Sequence, residues 1–212
     1  MAEETTAVEQ QVPVLYPTQP RAVRLMNTIW ADRTGVHDSL ETVAHLEAWA
    51  EQAGLGRHEE LNGHDLGRAR ALRDALRRLA ADVTADGRPH SVAEALSPEM
   101  ALAVVNEFVS HCAPALRPGP EGGFEREWLT DGSGLQRALN LVALEGSEVV
   151  AQQAPHELRA CGGPGCVLYF VRDHPRREWC SAGCGNRARV ARHYRRSMSS
   201  HEGPATGGAV DH

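Results

Sequence analysis

Apolar residues recur at helical spacing through most of the first 150 positions. In AVRLMNTIW, Val23, Met26 and Trp30 share one face of a first helix. Asp38 or Ser39 is placed to cap a second, whose apolar side carries Val43, Leu46 and Ala50 and which Gly54 closes. A third sets Leu72, Leu76, Leu79 and Val83 on one stripe and stops at Asp86-Gly87. Ser97-Pro98-Glu99 opens a fourth, because Ser97 can accept a backbone N–H and Pro98 falls where its missing donor costs nothing. Met100, Val104 and Phe108 form its buried stripe. A fifth, from Leu135 to Gln152, buries Leu135, Leu139, Val142 and Val149. Between the last two, from Pro114 to Gly134, the periodicity is lost, and GFEREWLTDGSG fits a short hairpin or edge strand.

The ends of the chain read differently. Residues 1–20, with Pro13, Pro17 and Pro20, form a loose lead-in, and the small polar residues 199–212 are expected to hold no fixed structure. The expected fold is mainly α: a helical N-terminal body over residues 21–153 with a short β-hairpin, followed by a small C-terminal α/β module over 156–198. No internal repeat is present.

At 212 residues and 42% apolar content, the chain suits one large domain or a medium one with an appended module. No stretch nears the roughly 20 apolar residues of a membrane span. The start, MAEETTAVEQQ, is acidic rather than a basic lead into an apolar run, so a cytoplasmic protein with no membrane partner is expected. All 22 basic residues are Arg, which reflects genome composition more than chemistry. Their placement matters more. Residues 1–158 hold 13 Arg against 24 acids, whereas residues 159–198 hold 9 Arg against only Asp173 and Glu178. A basic end on an acidic body suggests a polyanion partner.

That basic end also holds Cys161, Cys166, Cys180 and Cys184, with four, thirteen and three residues between successive members. Clustered cysteines in a chain with no export signal favour metal over disulfides, because the cytosol keeps thiols reduced. Two short knuckles brought together by an excursion are a recurrent way to offer zinc four sulfurs. Gly162, Gly163 and Gly165 let the first knuckle turn sharply, VLYFV fits a strand leaving it, and Trp179 leads back into the second. Four sulfurs close the tetrahedral shell, so one structural zinc ion is expected, with no catalytic water. His174 and His193 are then surplus as ligands. Cys112, apart from the cluster, reads as a small buried hydrophobe on the fourth helix.

Residues 185–198 lack proline and can form a helix with Val190, Ala191, Tyr194 and Met198 on one side. Arg189, Arg192 and Arg196, with Arg195 at the border, lie on the solvent side. They are the candidate nucleic-acid contacts, and Arg176 and Arg177 in the excursion could extend the patch. Arg187 falls among the apolar positions, so Arg187 and Asn186 are assigned to holding the knuckle, bonding backbone carbonyls or zinc-bound sulfurs; direct base contact by Arg187 is the alternative. Beside DNA binding stands a rival reading, a docking module for protein or RNA. Asn27, Arg33, His37 and His45 are scattered polar residues without a nucleophile motif or phosphate loop, so no enzyme is expected. Asn27 and Trp30 could line a pocket for a small-molecule effector, although helix packing is the commoner fate of such a Trp.

WCSAGCGNRARVARHYRR resembles the signature of the CGNR zinc finger family of bacterial proteins, with Cys184, Gly185, Asn186 and Arg187 supplying its four letters. Upstream, RLMNTIW and DSLETVAHLEAW are similar to the opening of the ABATE domain that precedes this finger. The resemblance implies a stress-response or transcription regulator whose finger binds DNA, whose helical body senses or interacts, and whose four clustered cysteines are the ligands. The second cysteine pair departs from the commoner family spacing by one residue. A single short finger covers little DNA, so a homodimer through the helical body is also expected.

Overall fold

The computed structural model describes residues 18–58, 60–88, 96–132, 134–153 and 157–199. Most of the expected lead-in and nearly all of the tail lie outside them. In chain order the elements are α1 (Arg21–Met26), β1 (Ile29–Ala31), β2 (Val36–Asp38), α2 (Val43–Gln52), α3 (Gly63–Val83), α4 (Pro98–Val109), β3 (Cys112–Pro118), β4 (Phe124–Thr130), α5 (Gly134–Val150), β5 (Leu158–Ala160), β6 (Tyr169–Val171) and α6 (Ala182–Ser199). The strands form three separate antiparallel hairpins, β1–β2, β3–β4 and β5–β6. The fold is therefore mainly α, as its pattern predicts. No helix among the described residues is long and apolar enough to cross a membrane.

α3 is the axis of the body, and α1, α2, α4 and α5 all pack on it. It begins in a capping box: the Asn62 side chain accepts the His64 and Asp65 amides, while Asp65 accepts the Asn62 amide. Leu72, Leu76 and Leu79 are buried as expected. The bare Cα of Gly146 lets α5 lie close to α3, since a Cβ there would fall 2.6 Å from Leu76 Cδ2. α5 buries Leu135, Leu139, Val142 and Val149, all four positions predicted.

Several expectations are corrected. Trp30 does not share a helix face with Val23 and Met26. α1 ends at Met26, and Trp30 lies on β1, its indole donating to Ser39 Oγ at 2.9 Å and its ring stacked on His37. Asp38 and Ser39 are thus spent in the β1–β2 hairpin, Asp38 also receiving the buried Arg73 at 2.6 Å. The cap of α2 is Thr42, whose side chain accepts from the His45 amide. α4 does start at Ser97-Pro98, yet its buried stripe is Ala101, Val105 and Phe108. Met100 is 56% exposed, because the core lies one residue, or 100°, around the helix from the stripe chosen by size. Val83 is exposed at the end of α3. Cys112 is not helical: it opens β3, half-buried, and burial pushes its thiol above the ordinary range.

The C-terminal hairpin belongs to two cores. Along β6 the side chains alternate, so Tyr169 and Val171 join Leu158 in the core of the body while Phe170 packs among the four cysteines. Among the described residues, no strand lies beside the outer edge of β6. Two carboxamides from the body take that place. The Asn27 side chain accepts from the Tyr169 amide at 2.9 Å and donates to its carbonyl at 2.8 Å, and Gln19 does the same to Val171 at 2.7 and 3.2 Å. Asn27 therefore serves as a strand mimic and does not line an effector pocket.

Candidate metal centre

Two knuckles make the site. In the first, Cys161 donates its amide to the Leu168 carbonyl and Cys166 donates to Gly163, each at 3.0 Å, which folds both sulfurs to the same side. In the second, Ser181 caps the start of α6 by accepting the Cys184 amide at 3.2 Å, so Cys180 and Cys184 straddle the helix N-terminus. The knuckles meet at Gly163, where a Cβ would lie 2.8 Å from Cys184 Cβ. Changing Gly163 to Ala is expected to cost about 1–3 kcal/mol through overpacking. Because about 1.4 kcal/mol is a factor of ten, titration against a chromophoric chelator should show zinc affinity falling by roughly one to two powers of ten.

Cys161, Cys166, Cys180 and Cys184 are all buried, and their sulfurs lie within 4.8 Å of one another. Cys180 Sγ is 3.5 Å from Cys184 Sγ and 3.8 Å from Cys166 Sγ. Tetrahedral zinc with Zn–S near 2.3 Å sets its sulfurs about 3.8 Å apart, so the donor set fits that ion. The Cys180 amide points at Cys161 Sγ at 3.4 Å, and Arg187 Nη2 donates to Cys184 Sγ at 3.0 Å. Arg187 is thereby placed against a sulfur of the cluster. Asn186 is exposed, and its side-chain carbonyl accepts from Arg189.

Crowded and buried, the four thiols do not ionise alike. Hydrogen bonds from Cys166 and then Cys180 draw Cys161 down to about 7. Bonds from Cys161 and the other thiols favour the anion at Cys184, while those at Cys166 and Cys180, with burial, oppose it. Four adjacent anions cannot coexist in a buried cluster without a cation between them. A divalent ion removes that obstacle, and the four residues hold one structural zinc ion.

The body grips this centre directly. Arg88, just past α3, points Nη1 into the first knuckle, donating to the carbonyls of Cys161, Cys166 and Leu168 at 2.9, 3.0 and 3.1 Å. Asp86, its side chain 1% exposed, fixes that guanidinium through Nε and Nη2 at 2.7 and 2.6 Å and accepts the Tyr169 hydroxyl at 2.7 Å. Buried Arg77 adds a bond from α3 to the Val167 carbonyl at 3.2 Å. Burial lowers the Arg77 pKa to about 10, so it remains charged at neutral pH. None of these residues stood out in the sequence as part of the site.

The candidate contact residues fall into two groups. Arg189, Arg192, Arg195 and Arg196 are exposed along α6, and Arg176 is exposed in the excursion. Arg177 is turned inward: it lies over the Phe170 ring, pairs with Asp173 and donates to the Trp179 and Cys180 carbonyls. His174 Nδ1 accepts the Arg176 amide, and His193 rests edge-on to Tyr194; neither joins the sulfur cluster.

A helical body that completes its core with a hairpin from a four-cysteine zinc module defines the class of protein. The chain belongs to the ABATE family, described as "Putative stress-induced transcription regulator", whose model matches residues 19–153. Residues 157–197 match the CGNR zinc finger. Comparison with curated proteins finds no match.

Proposed function

We propose that this protein is a DNA-binding transcription regulator in which the zinc module presents α6 to the duplex. The supporting observation is that α6 stands clear of the body. From Gly183 to Met198 only Cys184 and Gly185 are buried and Ala188 and Ala191 half-buried, while the apolar Val190, Tyr194 and Met198 are exposed along with the Arg row. A helix serving the core would hide one face. One that enters a major groove needs a long solvent-open basic face, and its diameter of about 10–12 Å suits a groove about 12 Å wide. The 18-residue helix carries five Arg and no acid. Arg189, Arg192, Arg195 and Arg196 would meet phosphates or guanine edges, and exposed Arg176 would extend the contact. In this reading the protein acts in the cytoplasm, zinc is structural, and no catalysis is assigned.

Replacing Arg189, Arg192 and Arg196 by Ala should weaken binding at all sequences and reduce the slope of log K against log salt by roughly 3, with zinc content unchanged. Gel-shift titration on genomic fragments reads both effects. Failure of the unaltered protein to bind any fragment at low salt overturns the proposal. The open stripe of Val190, Tyr194 and Met198 favours one second reading, a docking helix for a protein or RNA partner. Capture from extract with and without nuclease separates the two.

A further inference from the structure

The β3–β4 ribbon projects a largely exposed apolar face from the body. Its seven residue pairs touch α5 and no other element as extensively. The register puts Pro114 opposite Trp128, Leu116 opposite Arg126 and Pro118 opposite Phe124, all on one face. Leu116 is 75% exposed and Phe124 80% exposed. The acids Glu125 and Glu127 turn to the other face, where Glu125 pairs with Arg117. A two-stranded ribbon with an uncovered apolar face is marginal in water, and a continuous exposed apolar face marks an interaction site.

We propose that this face is the surface through which two copies of the chain associate. Charge and pattern both select the second copy. Arg126 is the sole charge on the face, so the surface offers no row of cations to a nucleic acid and no acids to a basic partner. It does complement itself. When two ribbons stack antiparallel about a dyad between the Trp128 and Arg126 rows, each guanidinium lies over the partner's indole, and the two like charges stay apart. Pro114 and Pro118 blunt the outer edge of β3 against strand addition, which leaves the face as the place to pair.

Seven residues at about 3.4 Å each make a contact roughly 24 Å long, at the low end of specific interfaces, so weak association with Kd on the order of 10 μM is expected. The inference does not depend on DNA binding. Sedimentation equilibrium of the zinc-loaded full chain between about 1 and 200 μM should show a monomer–dimer equilibrium. Leu116→Ser with Phe124→Ser should raise Kd at least about tenfold, as should Arg126→Glu alone. Glu127→Ser, on the opposite face, should leave it unchanged. Equal zinc content and helical circular dichroism verify that each variant is folded. A chain that stays monomeric throughout, leaving the face to a different partner, overturns the proposal. So does a dimer indifferent to the ribbon substitutions.

Discussion

Replacing Cys166 and Cys180 together by Ser is expected to abolish stoichiometric zinc and to destabilise the helical body as well as the C-terminal module. Zinc is worth about 10–16 kcal/mol to small four-ligand modules, which exceeds the whole stability of many domains, about 5–15 kcal/mol. Without it the Cys161–Cys184 region has only Phe170, Leu168 and Trp179 to pack on the thiols. The damage reaches further because Leu158, Tyr169 and Val171 sit in the main core beside Leu25, Leu76 and Leu139. Exposing three such side chains costs the body about 1.5–3 kcal/mol each, or about 10–35 °C of melting temperature for a chain of this size. Calorimetry of the double variant, or of the unaltered protein held with a strong chelator, reads this directly. A body transition that does not move on zinc loss would show that the module is merely appended.

This shared core bears on the proposed function. A finger on a flexible tether would leave α6 free to point anywhere. Here the hairpin that carries the zinc ligands is bonded along its edge by Asn27 and Gln19 and gripped by Arg77 and Arg88. The direction of α6 is therefore set by α1 and α3. In the proposed regulator, any event that shifts those helices reaches the DNA-facing Arg row through the knuckle. With two bodies joined at the ribbon, their two α6 helices would be held at a fixed separation.

Most of the metal site was legible because its information is local. Four cysteines in two close pairs, glycines between the first pair and an aromatic return path all lie within 24 residues. The Arg187 bond was legible for the same reason, since helix geometry sets Arg187 one turn beyond Cys184. The supports of the site were not, because their partners are remote: Arg88 reaches Cys161 across 73 positions, and Gln19 reaches Val171 across 152. No spacing rule announces such pairs. In the body, the period marks the buried stripes of α3 and α5, apart from Val83 at the end of α3. α4 was misjudged because Met100 and Val104 are larger than Ala101, and size is no guide to which neighbouring stripe faces inward. The β1–β2 hairpin, with three residues per strand, is too short for alternation to register. The strand at VLYFV is legible, and so is its burial on two sides. An unbroken apolar run such as VLYFV is typical of a strand buried on both faces, as Tyr169 and Phe170 prove to be.

The second large effect concerns Arg88. Its removal by Arg88→Ala leaves the buried Asp86 carboxylate without its cation and takes a shared donor from the carbonyls of Cys161, Cys166 and Leu168. Breaking a buried pair from one side typically costs about 3–5 kcal/mol, so both the melting temperature and the zinc affinity should fall, although no ligand has been touched. Arg88→Lys should rescue little, because an ammonium cannot serve Asp86 through two nitrogens and the knuckle through a third group at once. Asp86→Asn tests the pair from the other side and adds a signature in pH. Burial raises the pKa of Asp86, but its bonds to Arg88 and Tyr169 outweigh that and hold it below the ordinary carboxylate range. A carboxylate depressed in the fold contributes stability that is complete above its unfolded pKa and is lost as pH falls through the folded one. The unaltered protein should therefore lose stability in acid more steeply than Asp86→Asn, measured with zinc held saturating. If Arg88→Ala melts and binds zinc like the unaltered chain, the body does not hold the knuckle, and the orientation of α6 must be fixed by the metal alone.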